Sequence, residues 1–131
     1  MSLYEVEPGS APFPLHYHLA NKELLLVIAG RPSLRTLDSE RELEPGEVVG
    51  FPQGESGVHQ VVNRTDAAVR VLLVSEMNSP DIVVRPESGK LSAFGRAPGA
   101  EGPGMHQVFF ARDAVTLWDG KDPPPATDDR R

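Results

Sequence analysis

Glycine and proline interrupt this chain at short intervals, with 12 glycines and 13 prolines among 131 residues. The segments between them are too short for long helices and favour short strands joined by tight turns. Alternation and turn signals predict nine strands, at residues 13–18, 23–29, 33–37, 41–43, 47–51, 58–62, 69–75, 82–85 and 107–111. The sequence therefore predicts an all-β fold, either a sandwich or a small barrel.

The composition narrows the possible functions. A net charge of −6 argues against non-specific nucleic-acid binding and against attachment to anionic membranes. The chain has no cysteine, which excludes disulfides, thiolate metal ligands and cysteine nucleophiles. Its longest apolar run, residues 24–29, is far shorter than the roughly 20 residues of a membrane-spanning helix. At 131 residues we expect one domain, and a cytoplasmic location is the default.

Two of the four histidines, His16 and His18, are separated by a single residue. On a strand such residues point to the same side, with Cβ atoms roughly 7 Å apart. A turn over residues 19–22 brings Glu23 back beside them, because Glu23 opens the next predicted strand. Two imidazoles and one carboxylate on a hairpin form part of a site for a divalent transition metal. A fourth ligand has to come from elsewhere, and His59 begins a strand of its own.

Two stretches of the chain resemble the two sequence motifs of the cupin superfamily. The first is His16-x-His18-x4-Glu23-x6-Gly30, within residues 16–30. The second, within residues 46–63, is Gly46-x5-Pro52-x-Gly54 followed by His59-x3-Asn63. The resemblance extends over residues 8–75, about half of the chain.

This resemblance implies a double-stranded β-helix, the cupin or jelly-roll barrel, here with a C-terminal capping extension. It also implies that His16, His18, Glu23 and His59 bind one divalent ion, which could be iron, manganese, zinc or nickel. Four such ligands leave about two octahedral positions open to water, oxygen or a small molecule. The fourth histidine, His106, lies outside both motifs, and we expect it to be an exposed residue without a role.

Three functions are compatible with this site. The metal could catalyse a reaction of a small organic molecule, as a dioxygenase or an isomerase does. Alternatively, the domain could bind or sense a small ligand without turnover. A purely structural metal is the third option, but structural sites are normally closed to other ligands. The sequence favours the enzyme slightly over the binding protein.

The direction of Glu23 fixes the two faces of its strand. If Glu23 points inward, Leu25 and Val27 do so as well, and an apolar pocket is predicted. The complete predicted pocket wall is Leu25, Val27, Val49, Phe51 and Val61.

The opposite face of this strand carries Leu24, Leu26 and Ile28, which is too apolar to leave in water. Either the C-terminal segment around Phe109, Phe110 and Trp118 covers it, or a second subunit does. We expect a homodimer.

The domain organisation follows from the change in composition near residue 95. Residues 1–95 are predicted to form the cupin barrel, and residues 96–106 a Gly/Pro-rich loop. Residues 107–120 regain apolar character and are expected to pack on the barrel. Residues 121–131 are expected to be a disordered tail.

Overall fold

The structure is a computed structural model that describes residues 1–122. This part of the chain forms eleven strands and two short 3₁₀ helices, at Glu55–Gly57 and Ala111–Asp113. The strands are β1 (Ser2–Val6), β2 (Tyr17–His18), β3 (Glu23–Ala29), β4 (Ser33–Arg35), β5 (Glu40–Glu42), β6 (Val48–Phe51), β7 (Gln60–Val62), β8 (Val69–Ser75), β9 (Asp81–Arg85), β10 (Lys90–Gly95) and β11 (Met105–Phe110). Within residues 1–122, no helix is long and apolar enough to cross a membrane.

The strands form antiparallel sheets. One sheet has the order β1-β8-β3-β6, a second has β11-β10-β9-β2, and a third has β5-β4-β7. A bridge between His16 and His59, the residues that immediately precede β2 and β7, links the second and third sheets. This arrangement is a double-stranded β-helix, which confirms the predicted all-β fold.

Alternation along β3 decides which residues enter the core. Leu25 and Val27 are fully buried, whereas Leu24 and Ile28 on the other face are 46% and 43% exposed. This agrees with the inward direction predicted for Glu23. The core consists of Leu25, Val27, Leu34, Leu43, Phe51, Val61, Val71 and Leu73.

The turn at Pro45-Gly46 delivers β6 to its place beside β3. Gly46 has φ +85°, and the Glu47 amide donates to the Glu44 carbonyl at 3.0 Å. Proline at the first central position and a positive-φ glycine at the second are the features of a type II turn. The carbonyl of Val27 accepts from the Gly46 amide at 2.8 Å, which ties this turn to β3.

Two strands of the structure were not predicted from the sequence, β1 and β10. Strand β1 pairs with β8 from Ser2↔Leu73 to Val6↔Val69, and this long-range partner leaves no local signal. Strand β10 contains Ser92, Ala93 and Gly95, which have weak strand preference. The segment predicted at residues 13–18 is a strand only at its end, Tyr17–His18.

The C-terminal part of the described chain extends the second sheet. Strand β11 pairs with β10 from Lys90↔Phe110 to Gly95↔Met105, so it forms an edge strand. It begins two residues earlier than the segment predicted at 107–111, and most of its side chains are exposed. Residues 123–131 of the predicted tail lie outside the described residues.

Candidate metal centre

Strand pairing brings three histidines and one glutamate together between the sheets. His18 ends β2 and Glu23 begins β3, with only a short turn between them. His16 and His59 face each other in an antiparallel bridge, with N–O distances of 3.1 and 3.0 Å. These four residues, predicted from separate segments, therefore lie together.

The three imidazoles direct their Nε2 atoms at the carboxylate of Glu23. The distances are 3.4 Å from His18 to Oε1, and 3.9 Å from His16 and 3.3 Å from His59 to Oε2. Ligand atoms of His16, His18 and Glu23 all lie within 4.8 Å of one another, a spacing that one ion can bridge. His59 is outside this group of three but lies closest of the histidines to Glu23.

The backbone fixes the tautomers of His16 and His59. Their Nδ1 atoms lie 2.8 Å from the carbonyl oxygens of Pro14 and Gly57 respectively. A carbonyl only accepts, so Nδ1 carries the hydrogen, and Nε2 of the neutral ring carries a lone pair. Metal-ligating histidines are normally held in this way through their second nitrogen.

Asp81 performs the same task for His18. Its Oδ2 lies 2.6 Å from His18 Nδ1, and it also accepts from the Asn21 side chain and the Ala20 amide. Burial raises the pKa of Asp81, but the hydrogen bonds from His18, Asn21 and Ala20 outweigh it and leave the pKa lowered. The ionised carboxylate keeps the hydrogen on Nδ1 and leaves Nε2 as an acceptor.

Among the described residues 1–122, two atoms at the centre of this group have no hydrogen-bond partner, Nε2 of His59 and Oε2 of Glu23. They are buried and only 3.3 Å apart, yet both are electron-pair donors, since Nδ1 of His59 holds its hydrogen. A buried polar atom without a partner costs about 1–3 kcal/mol. A cation between the two would satisfy both, and the surrounding Nε2 atoms are the ligands that divalent transition metals prefer. The residues therefore fit a metal ion.

The electrostatics keep these groups in the states that bind metal. Burial and the neighbouring His59 lower the pKa of His16 to about 4. Burial raises the pKa of Glu23, but the three surrounding imidazoles, His59 foremost, lower it more, because their protonated forms favour the carboxylate. At neutral pH His16 is therefore neutral and Glu23 is ionised.

A cavity of about 720 Å³ opens beside this centre, between the two larger sheets. Its wall includes His16, His18 and Glu23 from the centre, and Tyr4 and Leu73 from the first sheet. The second sheet contributes Asp81, Val83, Arg85, Phe94 and His106. A ligand in this space would reach the metal-facing side of the cluster.

A sequence model of the cupin domain matches residues 2–75, more than half of the chain. The chain belongs to the cupin superfamily. No curated protein matches the sequence of this cupin.

Solved structures support the same family. A cupin-superfamily sugar phosphate isomerase from Silicibacter pomeroyi matches with a TM-score of 0.73 and 24% identity, over 89% of this chain and 70% of that one. A proposed sugar phosphate isomerase from Acidithiobacillus ferrooxidans gives 0.73 and 23%, over 88% and 69%. The Thermus thermophilus protein TT1209 gives 0.50 and 27%, over 56% and 67%. At these identities the first two likenesses establish the fold of this cupin and leave its activity open.

The five residues predicted to form the pocket wall of this cupin do not line the cavity. Leu25, Val27, Phe51 and Val61 fill the closed core and Val49 packs against it, whereas the cavity wall is formed by other residues. The reason is that these side chains pack against one another and against the other core residues. Of the five, Phe51 does touch the site, because its ring stacks on His59 with centroids 3.6 Å apart.

Sequence reasoning missed the polar wall that β9 and β11 provide. Asp81, Val83 and Arg85 alternate on the inner face of β9, but the adjacent Val84 is equally apolar, so the pattern did not identify the inward side. His106 was expected to have no role. It is an exposed residue, but it lies on the cavity wall and makes an edge contact with Phe94.

Proposed function

We propose that this cupin binds one divalent transition metal ion through His16, His18, Glu23 and His59 and uses it on a small organic molecule. The observation that carries the proposal is the pair of unpartnered acceptors, His59 Nε2 and Glu23 Oε2, 3.3 Å apart among two further imidazoles. Iron, manganese, zinc and nickel all suit this ligand set.

The chain's own residues prepare the site for such an ion. Hydrogen bonds to Pro14, Gly57 and Asp81 hold the three rings with their Nε2 lone pairs inward. When bound, the metal supplies a Lewis acid that polarises a carbonyl or hydroxyl oxygen. Four protein ligands leave about two octahedral positions, and the 720 Å³ cavity is of the size that encloses a small ligand.

Isomerisation of a small hydroxy-carbonyl compound is the reaction we propose, ahead of a dioxygenase. Two structural neighbours that cover most of this chain are described as sugar phosphate isomerases, one of them by proposal. A Lewis acid near two adjacent oxygens can promote such a reaction, and the ligand set and the adjoining cavity would provide one.

A non-catalytic binding protein is the second candidate, and one observation favours it. Isomerisation also needs a group that moves a proton, yet the Asp81 carboxylate on the cavity wall is occupied by three donors. His106 is the remaining imidazole on the wall, and it is exposed. Turnover of aldose and ketose phosphates by metal-loaded protein, compared with binding alone, separates the two candidates.

The first test is metal content, measured by mass spectrometry on protein purified without chelator. We expect close to one ion per chain in the wild type and its loss in His59→Ala. The matched control is His106→Ala, which removes a cavity histidine outside the proposed ligand set and should keep the ion. Absence of metal in the wild type, with no uptake when iron, manganese, zinc or nickel is supplied, would overturn the proposal.

We further propose that this cupin is a homodimer. Of the two covers predicted for Leu24, Leu26 and Ile28, the C-terminal segment instead continues the second sheet through β11. Leu24 and Ile28 remain exposed beside Val48 and Val74, which are 59% and 41% exposed on the same sheet. A second copy is the cover that we propose for this face. The cytoplasmic location stays a prediction.

A further inference from the structure

Arg85, at the end of β9, lies on the cavity wall and has no carboxylate partner among residues 1–122. It is half-buried and lines the cavity on the same strand face as Val83 and Asp81. Its Nη1 donates to the hydroxyl of Ser92 at 2.5 Å. Ser92 is 1% exposed and pairs with Val83 on the adjacent strand. The buried hydroxyl therefore holds the guanidinium beside Val83, turned back toward the metal centre.

Five of the eight arginines in residues 1–122 form ion pairs. Their carboxylate partners lie within 4.0 Å, and these arginines are Arg31, Arg35, Arg41, Arg64 and Arg112. Within the same described part of the chain, Arg70, Arg85 and Arg96 have no carboxylate at that distance. Arg85 and Arg96 line the cavity, but Arg96 is exposed and donates to the Gly102 carbonyl, whereas Arg85 is half-buried and donates to Ser92. A guanidinium has five N–H donors, so most of them are available to a ligand.

The distance from this guanidinium to the metal centre suits a small ligand. His18 pairs with Val83, and its ring contacts Asp81, the next inward residue on β9. Successive inward positions on a strand are about 7 Å apart. Ser92 holds the Arg85 guanidinium near Val83, so the guanidinium lies about 7 Å along the strand from Asp81. This is about the length of a chain of a few carbons.

We propose that Arg85, positioned by Ser92, is the anion-binding residue of the cavity, and that the ligand is a small organic anion whose other end meets the metal. The inference rests on the proposed metal function. A divalent ion would offset the charges of Glu23 and Asp81 and leave the Arg85 charge unbalanced. Planar guanidinium groups bind phosphate and carboxylate oxygens in pairs, so the shared chemistry is an anionic oxygen group.

The test is calorimetric titration of zinc-loaded full-length protein with three probes of one carbon skeleton. Glycerol 3-phosphate and glycerate carry the two anionic groups, and glycerol carries none. We expect an anion to bind the wild type and glycerol to bind at least 10-fold more weakly. The anion that binds more tightly shows whether the anionic group of the ligand is a phosphate monoester or a carboxylate.

Variants assign the binding to a residue. Arg85→Gln should weaken the anion at least 10-fold while leaving glycerol unchanged, and Ser92→Ala should weaken it by a smaller factor. The matched control is Arg96→Gln, since Arg96 also lines the cavity but donates to the Gly102 carbonyl in the loop after β10. It should change anion binding less than twofold. Thermal melting of each variant confirms that it is folded.

The outcomes separate this inference from the proposed function. Equal anion binding by Arg85→Gln and wild type, or no anion binding by metal-loaded wild type, overturns the inference while the metal site stands. The inference is also overturned if Arg96→Gln weakens anion binding and Arg85→Gln does not. If the protein takes up no metal, the proposed function fails, and the same titrations on metal-free protein decide whether Arg85 binds the anion.

Discussion

His18 and Asp81 are 63 residues apart in the chain, yet Nδ1 of the histidine lies 2.6 Å from Oδ2 of the aspartate. The contact is possible because β2 and β9 pair, with His18 opposite Val83. Asp81 is only 1% exposed, so this hydrogen bond is shielded from water. It fixes the orientation of the most solvent-accessible imidazole of the centre, whose side chain is 14% exposed.

Replacing Asp81 by Asn should weaken metal binding through His18. The amide keeps the shape of the side chain but loses the charge that holds the hydrogen on Nδ1. Losses of about 10- to 100-fold in metal affinity are typical for such supporting residues. Zinc affinity measured by chelator competition checks this. Asp38→Asn, at an exposed position, is the control. Equal affinity of Asp81→Asn and wild type would contradict a supporting role for Asp81.

The metal-free protein should lose stability as pH falls from about 6.5 to about 4. The pKa of His16 is about 4 in the folded protein and 6.5 ordinarily, so in this range the unfolded chain binds a proton that the folded chain excludes. Stability therefore rises with pH across the window, by up to about 3 kcal/mol for this group. Glu23 and Asp81 have lowered pKa values, so their contributions decline only below about their ordinary values of 4.5 and 3.8.

Urea unfolding of chelator-treated protein at several pH values between 4 and 7 measures this slope. His16→Asn removes the titrating ring and should flatten the dependence between pH 6.5 and about 4.5, above the range in which Glu23 contributes. A variant with the same slope as wild type would show that other groups cause it.

Long-range pairing explains what the sequence could and could not predict. The burial of Leu25 and exposure of Leu24 followed from alternation, because that signal is contained in a few neighbouring residues. The grouping of the four proposed metal ligands followed from the resemblance to the two cupin motifs. The cavity wall did not, because Arg85 enters the cavity only through the pairing of β9 with β2 and β10, partners that no local pattern specifies.

The exposed apolar sheet face should be the dimer contact. Leu24 and Val74 are register partners on β3 and β8, 46% and 41% exposed. Leu24→Lys with Val74→Glu places opposite charges side by side, which spares the monomer fold while making the face polar. We expect light scattering to show a wild-type dimer and a monomeric double variant.

The control for this variant is Val115→Glu with Leu117→Lys. These residues are 72% and 90% exposed and lie beyond β11, outside the strands of the apolar sheet. The control should remain dimeric. A monomeric wild type, or a double variant that remains dimeric, would contradict an interface on this sheet.

Gly30 ends β3 under two constraints, and Gly30→Ala should be strongly destabilising. Its φ is +81°, and an added Cβ would lie 2.5 Å from Cγ1 and 3.2 Å from Cα of Val69. Gly46 has a similar φ of +85° but open space around an added Cβ. Gly46→Ala should therefore cost only the backbone strain, about 1–2 kcal/mol. Gly30→Ala should cost clearly more in urea unfolding, because the Val69 backbone has to move as well. Equal losses for the two variants would mean that close packing of Val69 does not constrain Gly30.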